Sequence, residues 1–312
     1  MSNKTIAKFC VFVILSALVS GCSIISSGKS DATKETRFES VKATGKIADS
    51  EITESSGIAA SKCQPNVFWT HNDSGDDAFI FAMDKGGARL GTWKVPNAAN
   101  VDWEDIALHK DSTGKCFIYI GEIGDNQSKR DDHTIYRVPE PKASAANAAS
   151  TRQQPLTTEP ADALKFVYPD SRHNAETLLV HPKTADIYIV TKRVSGPAGV
   201  YRLKSDFGKD GAVKAEKVAD LSVPAIPNGF LTGGDISPDG KHVVICDYSA
   251  AYEFTLPENA KNFEDIWSQT PESIDVGKRK TGEAITYSPD GNSIILSSEG
   301  KNTAILEVMR KT

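Results

Sequence analysis

The sequence is short of the residues that most enzyme signatures are built from. Among 312 residues there are 5 cysteines, 3 methionines, 4 tryptophans and 6 histidines. No cysteine or histidine pair has metal-ligand spacing, which argues against zinc. G-x-S-x-G, H-E-x-x-H and a phosphate-binding P-loop are all missing, which argues against a serine hydrolase, a zincin and a nucleotide kinase. An excess of base is missing too: the formal net charge is -5, so a nucleic-acid binder is not expected. Long apolar runs are confined to the start of the chain, from Phe9 to Val19, a stretch too short for a stable membrane-spanning helix.

What is present begins with Lys4 and Lys8, that apolar stretch, and then Val19-Ser20-Gly21-Cys22. This reads as a secretory signal peptide. Its last four residues resemble the bacterial lipobox. The resemblance implies cleavage after residue 21 and a lipidated Cys22, with Ser23 implying sorting to the outer membrane. Residues 22–36 then read as a polar tether, and 37–312 as the folded domain. Loss of Lys4 and Lys8 moves the formal charge from -5 to about -7.

Short apolar segments recur through the domain. SSGIAA (55–60), WEDIAL (103–108), AETLLV (175–180), GGDISP (233–238) and GEAITY (282–287) each open a unit. Each is followed by a turn, as in SPDGK (237–241) and SPDGN (288–292), then by further strands such as CFIYIGEIGD and HVVICDY. The spacing is about 48 to 58 residues, except where an Ala/Pro/Thr-rich insertion, 141–162, lengthens the second unit and reads as a surface loop. Four antiparallel strands per unit, repeated, predict an all-β, five-bladed β-propeller. The fifth unit ends after three strands, so an N-terminal strand from RFESVKATGKI is expected to complete that blade and close the ring. A two-layer sandwich is the alternative. The repeat also sets Cys63 and Cys116 in neighbouring units, which allows a disulfide in an oxidising envelope. Cys246 reads as a small buried apolar group.

In a propeller the starts of first strands and the ends of second strands gather on one face. Ser56, Glu104, Glu176, Gly234 and Glu283 fall in the first set, with Asp105 and Asp235 one step on. Asp73, Glu122, Asp125, Lys192, Asp247 and Glu299 fall in the second. Carboxylates crowded around an axis must keep protons or hold a cation, and oxygen-only ligands favour Ca2+ over a transition metal. Lys129, Arg130, Lys192, Arg193, Lys278, Arg279 and Lys280 rim the same face, which suits an anionic or phosphorylated ligand. HNDSGDD (71–77) reads as a turn with some character of a cation loop. His71 and His173 are open between structural and proton-transfer or anion-binding roles.

WEDIAL, NAETLL and GEAITY, on five blades, resemble the calcium-activated nucleotidases, apyrase-type five-bladed propellers; phytase-like propellers are a more distant likeness. The resemblance implies Ca2+ in the channel, bound by Ser56, Glu104, Glu176 and Glu283; in the fourth blade, where the family has serine and this chain has Gly234, the ligand is either lost or replaced by Asp235. It also maps two consecutive basic residues onto Lys192 and Arg193. The loop GEIGDNQSKRDD departs from the family's pattern. Together these readings predict an envelope lipoprotein that hydrolyses a phosphoanhydride or phosphoester. Lys192, Arg193 and Asn126 would bind substrate, and Glu122, Asp125 or Glu299 would orient or deprotonate water. A non-catalytic propeller with a structural Ca2+ ion, presenting its rim to a protein or glycan, is the alternative, and a lactonase-type reaction is a third reading.

Overall fold

A computed structural model describes residues 36–311; the signal sequence, Cys22 and residues 22–35 of the tether lie outside the described residues. Alternation of apolar and polar residues gives short strands, and turns with Asp, Asn or Gly at their tips join them. The strands form five antiparallel meanders, whose first members are Ser55–Ala60, Trp103–Lys110, Ala175–Val180, Gly233–Ile236 and Ile285–Tyr287. Each of these inner strands touches the next, and the last touches the first. That closed ring of inner strands is the β-propeller expected from the repeat.

Ring closure follows the sequence expectation. Lys42–Lys46 pairs antiparallel with Ala304–Met309, Lys42 opposite Glu307 and Lys46 opposite Ala304, as the outermost strand of the fifth blade. The incoming segment is clamped further by Glu253, whose carboxylate is fully buried beneath Arg37 (3.1 Å), Arg310 (2.6 Å) and the Tyr287 hydroxyl (2.7 Å).

The inner strands are buried along their whole length in the first and third blades, and the aromatic and branched residues of the middle strands fill the space between blades. Residues 141–162 cross the outside of the first blade, where Leu156–Thr157 pairs parallel with its outer strand, Arg89–Lys94. Cys63 and Cys116 form a disulfide between the first and second blades, and Cys246 is free and buried.

Two aspartates fasten neighbouring blades. Asp105 Oδ2 accepts from Leu178 N of the third blade (2.9 Å). Asp235 Oδ2 accepts from Tyr287 N (3.0 Å) and the Thr286 hydroxyl (2.8 Å) of the fifth. Successive strand residues point to opposite sides, so Glu104 faces the channel while Asp105 faces the next blade. Asp235 corresponds to Asp105. It is placed as a blade fastener and not as a replacement for the missing serine.

Candidate functional site

The inner strands begin at one mouth of the channel, where acidic side chains from all blades but the fourth converge. Asp73 directly follows the second strand of the first blade, Phe68–Asn72; Asp102 and Glu104 stand two residues apart at the start of the second blade. One carboxylate oxygen from each of these three lies within 4.8 Å of the other two. Glu104 is 4 % exposed. The main-chain N–H of Asp102 donates to both oxygens of Glu122 (3.0 and 3.2 Å), which fixes the backbone beneath the cluster. A Cβ on Gly124 would collide with Glu104 Oε1 and Asp102 Oδ2, so only glycine lets the two carboxylates lie where they do.

Electrostatics follow from this crowding. Burial, with Asp73 and Glu122 nearby, pushes Asp102 up to about 6. Burial and the charges of Glu176, Asp73 and Asp102 hold Glu104 well above the usual carboxylate range, and burial raises Asp73. On the other side of the channel the Ser56 hydroxyl donates to Glu283 Oε2 (2.8 Å), and Glu283 shares a hydrogen bond with Glu299. Burial and the neighbouring Glu176 lift Glu283 to about 7, while burial and Glu283 lift Glu299 to about 8. The mouth therefore retains protons near neutrality.

Three of the four ligands implied by the resemblance already have protein partners at the mouth. Ser56 is engaged with Glu283, and both oxygens of Glu176 are taken by Lys192 Nζ (2.7 and 2.6 Å). Lys192 is further held between the rings of Phe230 (4.6 Å) and Tyr248 (4.9 Å). Glu104 alone of the implied set sits in the three-carboxylate cluster. The sequence places Asp73 in the ring of acids at this face but puts neither Asp73 nor Asp102 in the ligand set. The signal for Asp102 is its i, i+2 spacing from Glu104, which puts both on one side of an extended segment.

Two of the three expected water-handling acids have other duties. Glu122 accepts from Val101 N (2.8 Å), Asp102 N (3.0 Å) and Arg130 Nη1 (2.6 Å). It holds Asp102 in place. Asp125 accepts from Lys129 N (2.9 Å) and Arg130 N (2.8 Å), closing the 125–130 loop. Both carboxylates thus hold main-chain amides of the mouth in place. Glu299 remains at the mouth. His71 is wholly buried, hydrogen-bonded to the Asn72 carbonyl and lowered by burial to about 4, a neutral core residue.

Beside the third blade lies a cleft of about 450 Å³ that contains Asn126, Lys192 and Arg193, the three expected substrate-binding residues. Arg172, His173 and Phe230 also line it, and no carboxylate does. Asn174 links cleft and channel, its Nδ2 reaching Asn126 Oδ1 (3.2 Å) and Glu176 Oε1 (3.3 Å). A larger cleft of about 560 Å³ opens at the far end of the strands, between Ser61–Phe68 and Ser288–Ser293. Its charged groups are engaged locally, Lys85 with Glu307 and Asp290 with Ser288, and it is not part of this site.

No family model matches the chain, and no curated protein matches it. Among solved structures it is similar to the PQQ-bound aldose sugar dehydrogenase of Streptomyces coelicolor, with 14 % identity, 86 % of this chain and 98 % of that one covered, and a TM-score of 0.46. It is also similar to a gluconolactonase of Xanthomonas campestris, with 12 % identity, coverage of 86 % and 89 %, and a TM-score of 0.43. Neither neighbour is an apyrase-type or phytase-like protein, and that family resemblance gains no support from them. At these scores neither carries an activity to this chain.

Proposed function

We propose that the channel mouth binds Ca2+ through Asp73, Asp102 and Glu104, and that the chain is an envelope lipoprotein, anchored through Cys22, that hydrolyses a phosphoanhydride or phosphoester held in the adjoining cleft. One observation carries the reading: Asp73, Asp102 and Glu104 each bring a carboxylate oxygen within 4.8 Å of the other two, and burial and neighbouring carboxylates raise all three. A hard divalent cation supplies the missing compensation. The donors are all oxygen, and neither His nor Cys joins them, which fits Ca2+ and not a softer metal.

When bound, Ca2+ supplies Lewis-acid polarisation of an anionic substrate oxygen. Arg193 balances the substrate's charge in the cleft, which Lys192, paired with Glu176, also lines. Glu299, raised to about 8 and hydrogen-bonded to Glu283, holds a proton that it can exchange with water or a leaving group near neutral pH. The closure of the third-blade side by the Lys192–Glu176 pair favours, as a second reading, a structural ion in a propeller that binds a protein or glycan.

The test is phosphate release from nucleoside di- and triphosphates and from phytate by residues 30–312, with Ca2+ and with chelator. Release that requires Ca2+, and that falls about 100-fold in Glu299→Gln while the Ca2+-induced rise in melting temperature persists, is expected. No release from any substrate, with that rise intact, ends the catalytic reading and leaves the structural ion.

A further inference from the structure

The 450 Å³ cleft holds one group that no role has yet absorbed. His173 is 8 % exposed and lines the cleft beside Arg172 and Asn174. Its Nε2 lies 3.0 Å from Asp170 Oδ1, 3.1 Å from Ser171 Oγ and 2.8 Å from the Tyr201 hydroxyl. Asp170 Oδ2 in turn accepts from the same Tyr201 hydroxyl at 2.8 Å. Tyr168 packs edge-on against the imidazole, with ring centroids 4.9 Å apart.

These contacts fix the tautomer. A carboxylate only accepts, so the ring nitrogen facing Asp170 carries the hydrogen. Nδ1 is then the basic nitrogen, and among the described residues it has no partner. A histidine oriented by a carboxylate, with its second nitrogen free in a cleft, is the arrangement used for proton transfer. Around it the charges are mostly positive. Arg172 is adjacent and paired only with the exposed Asp131, a contact of little strength. Arg193 has no carboxylate partner among the described residues, and Lys192 is committed to Glu176. Among the described residues Asp170 is the anion in contact with the ring; His133, Tyr168 and Tyr201 are other titratable neighbours.

We infer that His173 is the proton-carrying residue of this cleft: its Nδ1 meets a bound oxyanion of the phosphate or sulfate type, and it takes up a proton from solvent as that anion binds. The inference rests on the reading above only for the anionic nature of the ligand, and requires neither Ca2+ nor hydrolysis. Arg193 would hold the oxyanion, and Asp170 and Tyr201 are positioning residues that keep Nε2 protonated.

Sulfate is the probe, because it has no proton of its own to exchange between pH 6 and 9. Imidazole nitrogen NMR of residues 30–312 is recorded against pH, with and without sulfate, the His173 signal being assigned from His173→Gln. The expected result is an Nε2–H tautomer without sulfate and a midpoint about one pH unit higher with it, a tenfold change in proton affinity. Arg193→Ala should remove most of that shift, and Asp170→Asn should disturb the tautomer. An unmoved midpoint, or an Nδ1–H tautomer in the unliganded protein, overturns the inference. Ca2+-dependent phosphate release with an unmoved His173 would refute this inference alone. A moved His173 without any phosphate release would leave it standing and count against the hydrolase.

Discussion

In chelator, the melting temperature of the domain is expected to fall by on the order of 10 °C between pH 6.5 and 8.5. Glu176 and Glu283 are raised to about 7 and Glu299 to about 8, whereas in the unfolded chain they titrate near the ordinary glutamate value. Over this window the folded protein binds more protons than the unfolded one. Stability present at lower pH is therefore lost as pH rises through the folded values, by roughly 1.4 kcal/mol per pH unit for each excess proton. His71 and His133, both lowered by burial to about 4, act with the opposite sign. They remove stability only as pH falls below the ordinary histidine range, so the window above pH 6.5 isolates the carboxylates. Ca2+ at saturating concentration should displace protons from the mouth and flatten the fall. Differential scanning calorimetry across the window checks both arms, and parallel curves with and without Ca2+ would mean that no ion binds there.

Glu104→Gln should act in opposite directions in the two conditions. Glu104 is buried and is surrounded by Asp73, Asp102 and Glu176. Replacing its carboxylate by an amide removes repulsion and supplies a donor to those neighbours. In chelator at pH 8 the variant should therefore melt several degrees higher than the parent. The same change removes a charged ligand and should weaken Ca2+ binding roughly 100-fold, so the stabilisation by millimolar Ca2+ should largely vanish. Titration calorimetry and thermal melts on the same preparation read both effects. A variant destabilised equally in both conditions would identify Glu104 as an ordinary core residue.

The fold was legible because propeller strands repeat with a short period and recurring turns: SPDGK and SPDGN occupy equivalent bends, and the strand missing after Ala304–Met309 announced the closing strand. Placement of the acids was less legible, for physical reasons that differ between residues. Asp235 shares a strand position with Asp105, and a shift of one residue turns a side chain from the channel to the next blade. A substitution of ligand by its immediate neighbour in sequence was therefore unavailable to it. Glu122 and Asp125 stand where strand order places them, but the donors that occupy them come from the 101–102 and 129–130 main chain, which no strand pattern specifies. Asp73 and Asp102 come together only because two blades adjoin at the mouth. Lys192 was expected in the substrate site, but folding also turns it onto Glu176, a pairing across the ends of two strands that composition does not encode.

A crystal of the domain grown with Ca2+, with the ion located by its anomalous scattering, addresses the cation assignment most directly. Density between Asp73, Asp102 and Glu104, with Lys192 still on Glu176, is the expected result. Density on the channel axis bound by Ser56, Glu176 and Glu283, with Lys192 displaced, would contradict the assignment, as would a mouth without any ion at millimolar Ca2+.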